Sequence, residues 1–218
     1  MTLTRLALAA ALALAAAPAF AQRTDIIVAM QLEPPHLDPT SAAAGAIDNV
    51  TYANIFEGLT RFREDGSVVP ALAESWEISD DGLTYTFTLR EGVTFHDGTT
   101  MDAGDVKFTL ERILADESTN AQKALYEAIE TVEVVDPLTV RLTLSRPEGN
   151  LLFSLAWGDA VIVAPESVAD IKTDPVGTGP FRFVDWVQGD RVEIARYDGY
   201  WGEAPALERA TFKFISDP

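Results

Sequence analysis

Apolar and polar residues alternate with a period of two along much of this chain, and stretches with apolar residues every three or four positions interrupt that alternation. The first mature-looking run, Asp25 to Met30, is apolar and too short for a helix, which predicts a buried strand. A helix is predicted over 46–57, with Ile47, Val50, Tyr52, Ile55 and Phe56 inward and Gly58 ending it. Short β runs at 59–62 and 68–69 flank a turn at Glu64-Asp65-Gly66, and 71–75 looks like one helical turn. The clearest hairpin follows. Trp76 and Ile78 alternate with polar residues, 79–82 makes the turn, and 84–89 sets Tyr85, Phe87 and Leu89 on one face. Val93 to Phe95 is expected to pair back across Glu91-Gly92.

Asp102 then reads as a helix cap, with Asp105 in the reciprocal capping position, Met101 and Val106 spaced as a staple, and Ala103, Val106, Leu110, Ile113 and Leu114 as the buried stripe. A second helix is predicted over 121–130, with Ala124, Leu125, Ala128 and Ile129 inward. Strands at 132–135 and 140–144 join across Asp136-Pro137. A helix over 151–157, a strand at 161–163 and a short helix over 166–171 come next, then strands at 181–187, 192–197 and 211–215. Helices with β neighbours on both sides predict a mixed α/β layer architecture rather than a bundle.

Between these elements, Asp174-Pro175-Val176-Gly177-Thr178-Gly179-Pro180-Phe181 brackets two glycines with two prolines, a shaped turn that leads into a strand. It is no phosphate loop. It has no Lys-Ser/Thr pair, Arg182 stands where a dinucleotide fingerprint needs its third glycine, and no helix follows.

The chain has 218 residues, and its first 21 have the order of an export leader: Arg5, the apolar run Leu6 to Ala17, then a small-x-small end at Ala21. There is no cysteine, so a mature exported chain has neither disulfides nor a cysteine-borne lipid anchor, and a soluble periplasmic protein is expected. The formal charge is −18, and one unit more negative once Arg5 leaves, which disfavours nucleic acid and anionic membranes as partners. Two histidines sixty residues apart, His36 and His96, give no metal-ligand spacing, and no cofactor is implied. No Gly-x-Ser-x-Gly elbow marks a hydrolase, although an exported hydrolase is the rival class.

Two stretches are candidates to line a cleft. The first is the proline-stiffened loop Glu33 to Pro39, with His36 and Leu37 as candidate ligand contacts; a plain rigid connector is the equal alternative, and Asp38 before Pro39 reads as a turn residue. The second is Trp157-Gly158-Asp159, where an aromatic beside glycine offers a flat wall and close backbone approach; the competing reading of Trp157 is a core tryptophan.

The order of short motifs resembles the extracellular solute-binding protein family 5, the periplasmic receptors of ABC importers for dipeptides, oligopeptides and related solutes. The resemblance is carried by Leu37-Asp38-Pro39, Phe56-Glu57-Gly58-Leu59, Leu72-Ala73-Glu74-Ser75-Trp76, the run from Asp81 to Gly98, Ala103-Gly104-Asp105-Val106, the stretch from Val176 to Phe181, and Tyr197 to Gly202. It implies a type II periplasmic-binding-protein-like fold with the ligand between two lobes, in chains roughly twice as long or more. It further implies a division into a signal peptide (1–21), a first part of lobe I (22–58), the extra α/β domain of peptide-binding members (59–144) and a second part of lobe I (145–218), truncated before lobe II. The partners implied are a peptide or other small solute and an inner-membrane permease and ATPase, with the receptor a monomer. A product without binding activity is the remaining alternative, because one lobe alone should bind poorly.

Overall fold

The computed structural model describes residues 23–42 and 44–215, so the leader expected over 1–21 lies outside the described residues. Among the described residues no helix is long and apolar enough to cross a membrane. Two four-stranded sheets carry the chain. The first contains β1 (Asp25–Met30), β8 (Phe181–Val187), β9 (Arg191–Arg196) and β10 (Arg209–Phe214) in the order β1-β10-β9-β8. β1 runs parallel to β10, and the other pairs are antiparallel; as an edge strand β1 is exposed at every position but Met30, not buried as expected. The second contains β4 (Ala73–Ile78), β5 (Thr84–Leu89), β6 (Ile129–Asp136) and β7 (Thr139–Leu144) in the order β4-β5-β7-β6, all antiparallel. A small ribbon pairs β2 (Thr60–Phe62) with β3 (Val68–Pro70).

The predicted hairpins are present, and Tyr85, Phe87 and Leu89 are buried on one face. Helix α1 covers Gly45–Thr51 and helix α2 covers Ala103–Leu114. The expected capping box closes the start of α2: Asp102 Oδ1 accepts from Gly104 N–H at 2.6 Å, and Asp105 Oδ2 accepts from Asp102 N–H at 2.9 Å. The buried stripe Val106, Leu110 and Ile113 of α2 packs on β6 and β7, completing the core of the second sheet.

Several predicted elements differ, each for a traceable reason. The first helix stops at Thr51 rather than Glu57, because Tyr52 is extended and Ala53 takes a left-handed φ of 56°; the carbonyls of Asn54 and Ile55 beyond the break accept from Phe181 and Gly179 N–H, each at 2.9 Å. Residues 71–75 are extended into β4, since Ala71, Leu72 and Ala73 donate to the carbonyls of Gly58 and Leu59. Val93 to Phe95 pairs with its own return, Thr99 to Met101, instead of with β5. The helix expected over 121–130 is one 3₁₀ turn, Lys123–Leu125, followed directly by β6; Tyr126, Ala128 and Ile129 are buried, whereas Ala124 and Leu125 point outward. Helix α3 spans only Leu151–Ser154, and 166–171 forms consecutive turns.

Residues 161–163 are extended but join no sheet: Ile162 N–H donates to Glu57 O at 2.8 Å and Val163 N–H to Thr109 Oγ1 at 3.0 Å. Strand-like alternation survives in their packing. Ala160, Ile162 and Ala164 enter the core of the second sheet, and Val161 and Val163 enter that of the first. This segment therefore stitches the two cores together.

The proline–glycine stretch is locked from two sides. Gly177 and Gly179 lie so close to the 54–56 turn that an added Cβ would meet Ile55 O at 2.0 Å and Asn54 O at 2.4 Å respectively. His96 holds the other side, its Nδ1 facing Gly177 N–H at 3.3 Å and its Nε2 facing Gly179 O at 2.9 Å. Those partners require the neutral ring with the proton on Nε2. Burial agrees, pulling the His96 pKa down to about 4.

Two outcomes follow from this lock. Gly177→Ala and Gly179→Ala should each lose about 1–3 kcal/mol or more in denaturant unfolding by overpacking against backbone, while Gly149→Ala, with open space around it, should change little. His96 has a folded pKa below its unfolded value, so its stabilisation is full above about pH 6.5 and is lost as pH falls toward 4. In His96→Gln the unfolding free energy should show a shallower decline over that window.

Candidate functional site

Four carboxylates are buried among the described residues; Asp105 is the capping residue of α2 already described, and the other three distinguish what the fold uses from what it leaves over. Glu57, in the turn after α1, is buried yet fully occupied: Tyr200 Oη–H donates to Oε1 at 3.0 Å, and Trp201 Nε1–H and Thr178 Oγ1–H donate to Oε2 at 2.9 and 3.1 Å. Burial raises its pKa, opposed by those donors. Trp201 is in turn covered by the Arg90 guanidinium, 4.5 Å from the ring centroid. This is structural chemistry, tying the aromatic turn at 197–202 to the start of the second sheet.

Asp38 is the second. Its Oδ1 accepts from Thr40 N–H at 2.9 Å and Thr40 Oγ1–H at 2.6 Å, and its Oδ2 pairs with Arg112 Nη2 at 2.9 Å. Burial alone would raise its pKa, but the Thr40 hydroxyl and the Arg112 charge outweigh burial and hold it low. The turn role expected for Asp38 is the one it has, with an ion pair to α2 added.

Asp159 is the third, and it differs. It is only 6 % exposed, and its Oδ1 has no hydrogen-bond partner. Asp48 of α1 lies beside it: a Cβ on Gly158 would meet Asp48 Oδ1 at 2.5 Å, so only glycine lets that carboxylate approach the 157–159 backbone. Burial first, and the Asp48 charge second, push the Asp159 pKa up to about 6; burial also raises Asp48. Among the described residues no Lys or Arg forms an ion pair with either. The corner is held rigid from behind. Asn120 Nδ2 donates to Asp159 O at 2.8 Å, Tyr52 Oη–H to Ala156 O at 2.6 Å, and Tyr126 Oη–H to Ser154 O at 2.9 Å.

Trp157 is 39 % exposed and meets Phe153, also exposed, edge to face at 6.2 Å. The two rings line a depression of about 340 Å³ together with Leu125, Gln122 and Asn150. Trp157 is thus a surface wall and not a core residue. The proline loop sits elsewhere. His36 is half-buried, with Nδ1 accepting from Asp38 N–H at 3.2 Å, and Leu37 is wholly buried with its N–H on Lys172 O at 2.9 Å. The Leu37 side chain belongs to the core of the first sheet and the residue is wholly buried, so Leu37 is not the exposed ligand contact expected of it.

The candidates therefore form two groups, and α1 lies between them. Asp48 of α1 faces Gly158, while Gly45, Ala46 and Asn49 line a second depression, about 600 Å³, with Met30, Gln31 and Leu32 just before the proline loop. Sequence reasoning missed Asp48, which looked like an ordinary polar position on a helix; its partner lies far along the chain and no local pattern announces it.

The unpartnered Asp159 carries a measurable cost. A carboxylate whose folded pKa exceeds its unfolded value destabilises the fold as pH rises between the two, and the cost is full above about pH 6. Asp159→Asn should therefore unfold at higher denaturant than the parent above pH 6, by about 1–3 kcal/mol, with the gain vanishing toward pH 4.

Comparison with known proteins agrees with this architecture. The profile of bacterial extracellular solute-binding proteins, family 5 (middle), matches residues 67–218. The glutathione-binding protein GsiB of Salmonella paratyphi A is 37% identical over 216 residues, 97% of this chain and 42% of that protein. GsiB of Pectobacterium atrosepticum is 36% identical over 94% of this chain and 40% of its own length. Among solved structures, the binding protein AgaA of A. tumefacien R10, in complex with agropinic acid, is similar with a TM-score of 0.84 and 34% identity over 88% of this chain and 40% of that one. NikZ from Campylobacter jejuni, in complex with Ni(L-His), has a TM-score of 0.80 and 30% identity over 89% of this chain and 40% of that one. The chain spans about two fifths of the length of the relatives it matches. With the fold being the mixed α/β arrangement of type II periplasmic binding proteins, and the profile covering well over half of its residues, the chain belongs to the bacterial extracellular solute-binding proteins of family 5.

Proposed function

We propose that this chain is part of the periplasmic solute-capturing component of an ABC importer, taking peptides or related small solutes and handing them to an inner-membrane permease and ATPase. The observation that carries this reading is the corner at Trp157-Gly158-Asp159. It combines an exposed aromatic wall with a buried carboxylate that the fold leaves without a hydrogen-bond partner. A group kept at a stability cost is what a binding surface retains for its ligand.

In this reading residues 22–58 and 145–218 build one lobe, with the first sheet as its centre, and 59–144 forms an extra α/β domain around the second sheet. His36 and the Trp157-Gly158-Asp159 corner face the solute; buried Leu37 supports the loop beneath His36. The solute lies against this lobe and a second one supplied by the longer protein. Contact with both favours the closed form over the open one, so capture is a population shift. Micromolar affinity corresponds to about −8 kcal/mol, which needs contributions from both sides of the cleft. An isolated first lobe should accordingly bind weakly.

The reading is tested on the natural full-length protein by calorimetry with a mixed di- and tripeptide library and glutathione, in parallel with chromogenic ester and peptide substrates. Saturable heat without release of chromophore is expected. Turnover of either substrate would replace the receptor reading with an exported hydrolase.

A further inference from the structure

We propose that Arg112, on α2 and outside the proline loop, is a positioning residue for solute binding: it fixes the end of that loop against the second-sheet unit and so sets where His36 stands. The inference rests on the solute-capture reading above, in which the loop faces the solute.

The loop leaves the carboxyl end of β1, which runs parallel to β10. Open α/β sheets take their ligands in the crevice beyond the carboxyl ends of such strands. Both ends of the loop are pinned, to different parts of the molecule. At its start, Glu33 Oε1 accepts from Trp186 Nε1–H and from Gly189 N–H, each at 2.9 Å, which ties it to the β8–β9 hairpin of the first sheet. At its end the Arg112 guanidinium holds two groups at once. Nη2 pairs with Asp38 Oδ2 at 2.9 Å, and Nη1 donates to Thr40 Oγ1, whose own hydroxyl hydrogen goes to Asp38 Oδ1 at 2.6 Å. Pro34 and Pro35 fix φ between the anchors. His36 Nδ1 accepts from Asp38 N–H at 3.2 Å, so its ring is carried by the anchored residue itself.

Three features set this pair apart from ordinary surface charge. Among the described residues it is the only ion pair with a fully shielded member: the Asp38 side chain is 0 % exposed, against 19–88 % for the acids of the others. A buried ion pair adds little net stability over apolar packing in the same place, whereas a forked guanidinium on two acceptors fixes direction. Second, burial of Leu37 already seats the loop on the core of the first sheet, so what Arg112 adds is a link to the other sheet. Third, α2 is a firm base for that link, held by its capping box and by its stripe on the second core, with Arg112 in the last turn where helix carbonyls favour a cation. A loop fixed in this way meets the solute without an ordering cost.

The test uses the natural full-length protein, with titration calorimetry on glutathione and Ala-Ala-Ala and melting temperatures on the same samples. Arg112→Met leaves Asp38 an unpaired buried charge, and it should both melt lower and bind about tenfold more weakly. Asp38→Asn combined with Arg112→Met removes both charges, and the new amide oxygen can still accept from Thr40 N–H. This double variant should melt within about 4 °C of the parent. It should nevertheless bind about tenfold more weakly, because the loop has lost its tie to α2. Arg112→Lys, which keeps the charge without the fork, should melt like the parent and recover only part of the affinity lost in Arg112→Met.

Parent-like affinity in the double variant would overturn the proposal and leave the capture reading standing. Affinity that simply follows melting temperature across the three variants would do the same, and would assign the pair a structural role. No heat with either probe in the parent itself would refute peptide capture, and the positioning role with it.

Discussion

A single buried carboxylate, Glu57, ties together parts of the chain that no sheet connects. Its side chain gathers donors from the 178 turn and the aromatic turn at 200–201, and its main-chain carbonyl takes Ile162 N–H. Next to it, Gly58 packs so closely on Leu155 that a Cβ would come within 2.7 Å of that carbonyl. The two four-stranded sheets share no strand, so their relative placement rests on such bonds and on the 160–164 segment, whose side chains alternate between both cores. Removing one partner of a buried charged network leaves the other polar groups desolvated and unpaired, which costs more than the bonds contribute. The fold therefore has a hub of polar contacts at the point where hydrophobic packing changes from one core to the other.

Against that hub the Asp48–Asp159 corner stands out by contrast. Glu57 and Asp38 are buried for structural reasons and are satisfied within the chain; Asp159 is buried as deeply and is not. Comparing buried carboxylates with one another removes burial as the explanation and leaves the missing partner as the difference. Neighbours of the corner line two separate depressions: Trp157 that of about 340 Å³, and Gly45, Ala46 and Asn49 of α1 that at the end of β1, while the Asp48 and Asp159 carboxylates line neither.

Local chemistry was legible in the sequence where local chemistry decides the structure. The hairpins at 76–89 and 181–196 and the Asp102–Asp105 capping box formed as read, because turn residues, alternation and caps act over a few residues. The failures have a common cause in partners distant along the chain. Residues 121–130 have a helical spacing of Ala and Leu, but anchoring of Tyr126 on Ser154 and pairing of Ile129 with Leu144 limit the segment to one 3₁₀ turn and draw its end into β6. The helix expected over 46–57 breaks at Tyr52 and Ala53, and the turn beyond the break is held by Gly179 and Phe181 N–H from far along the chain. Residues 161–163 look like a strand and pack like one, yet bond to a turn and a threonine side chain. At the site, the aromatic–glycine–aspartate turn was visible as a pattern, whereas Asp48 becomes meaningful only once folding sets it against Gly158.

The parallel pairing of β1 with β10 joins the first described strand to the last. A ribosome must therefore have made nearly all of this region before β1 has its neighbour, and even then β1 stays at the sheet's edge with Ile26, Ile27 and Val28 exposed. The β4–β7 sheet has no such wait, since its strands are close in sequence. High contact order in one sheet and lower in the other predicts a biphasic assembly, with the β4–β7 sheet maturing early and the sheet that joins the first and last described strands closing late.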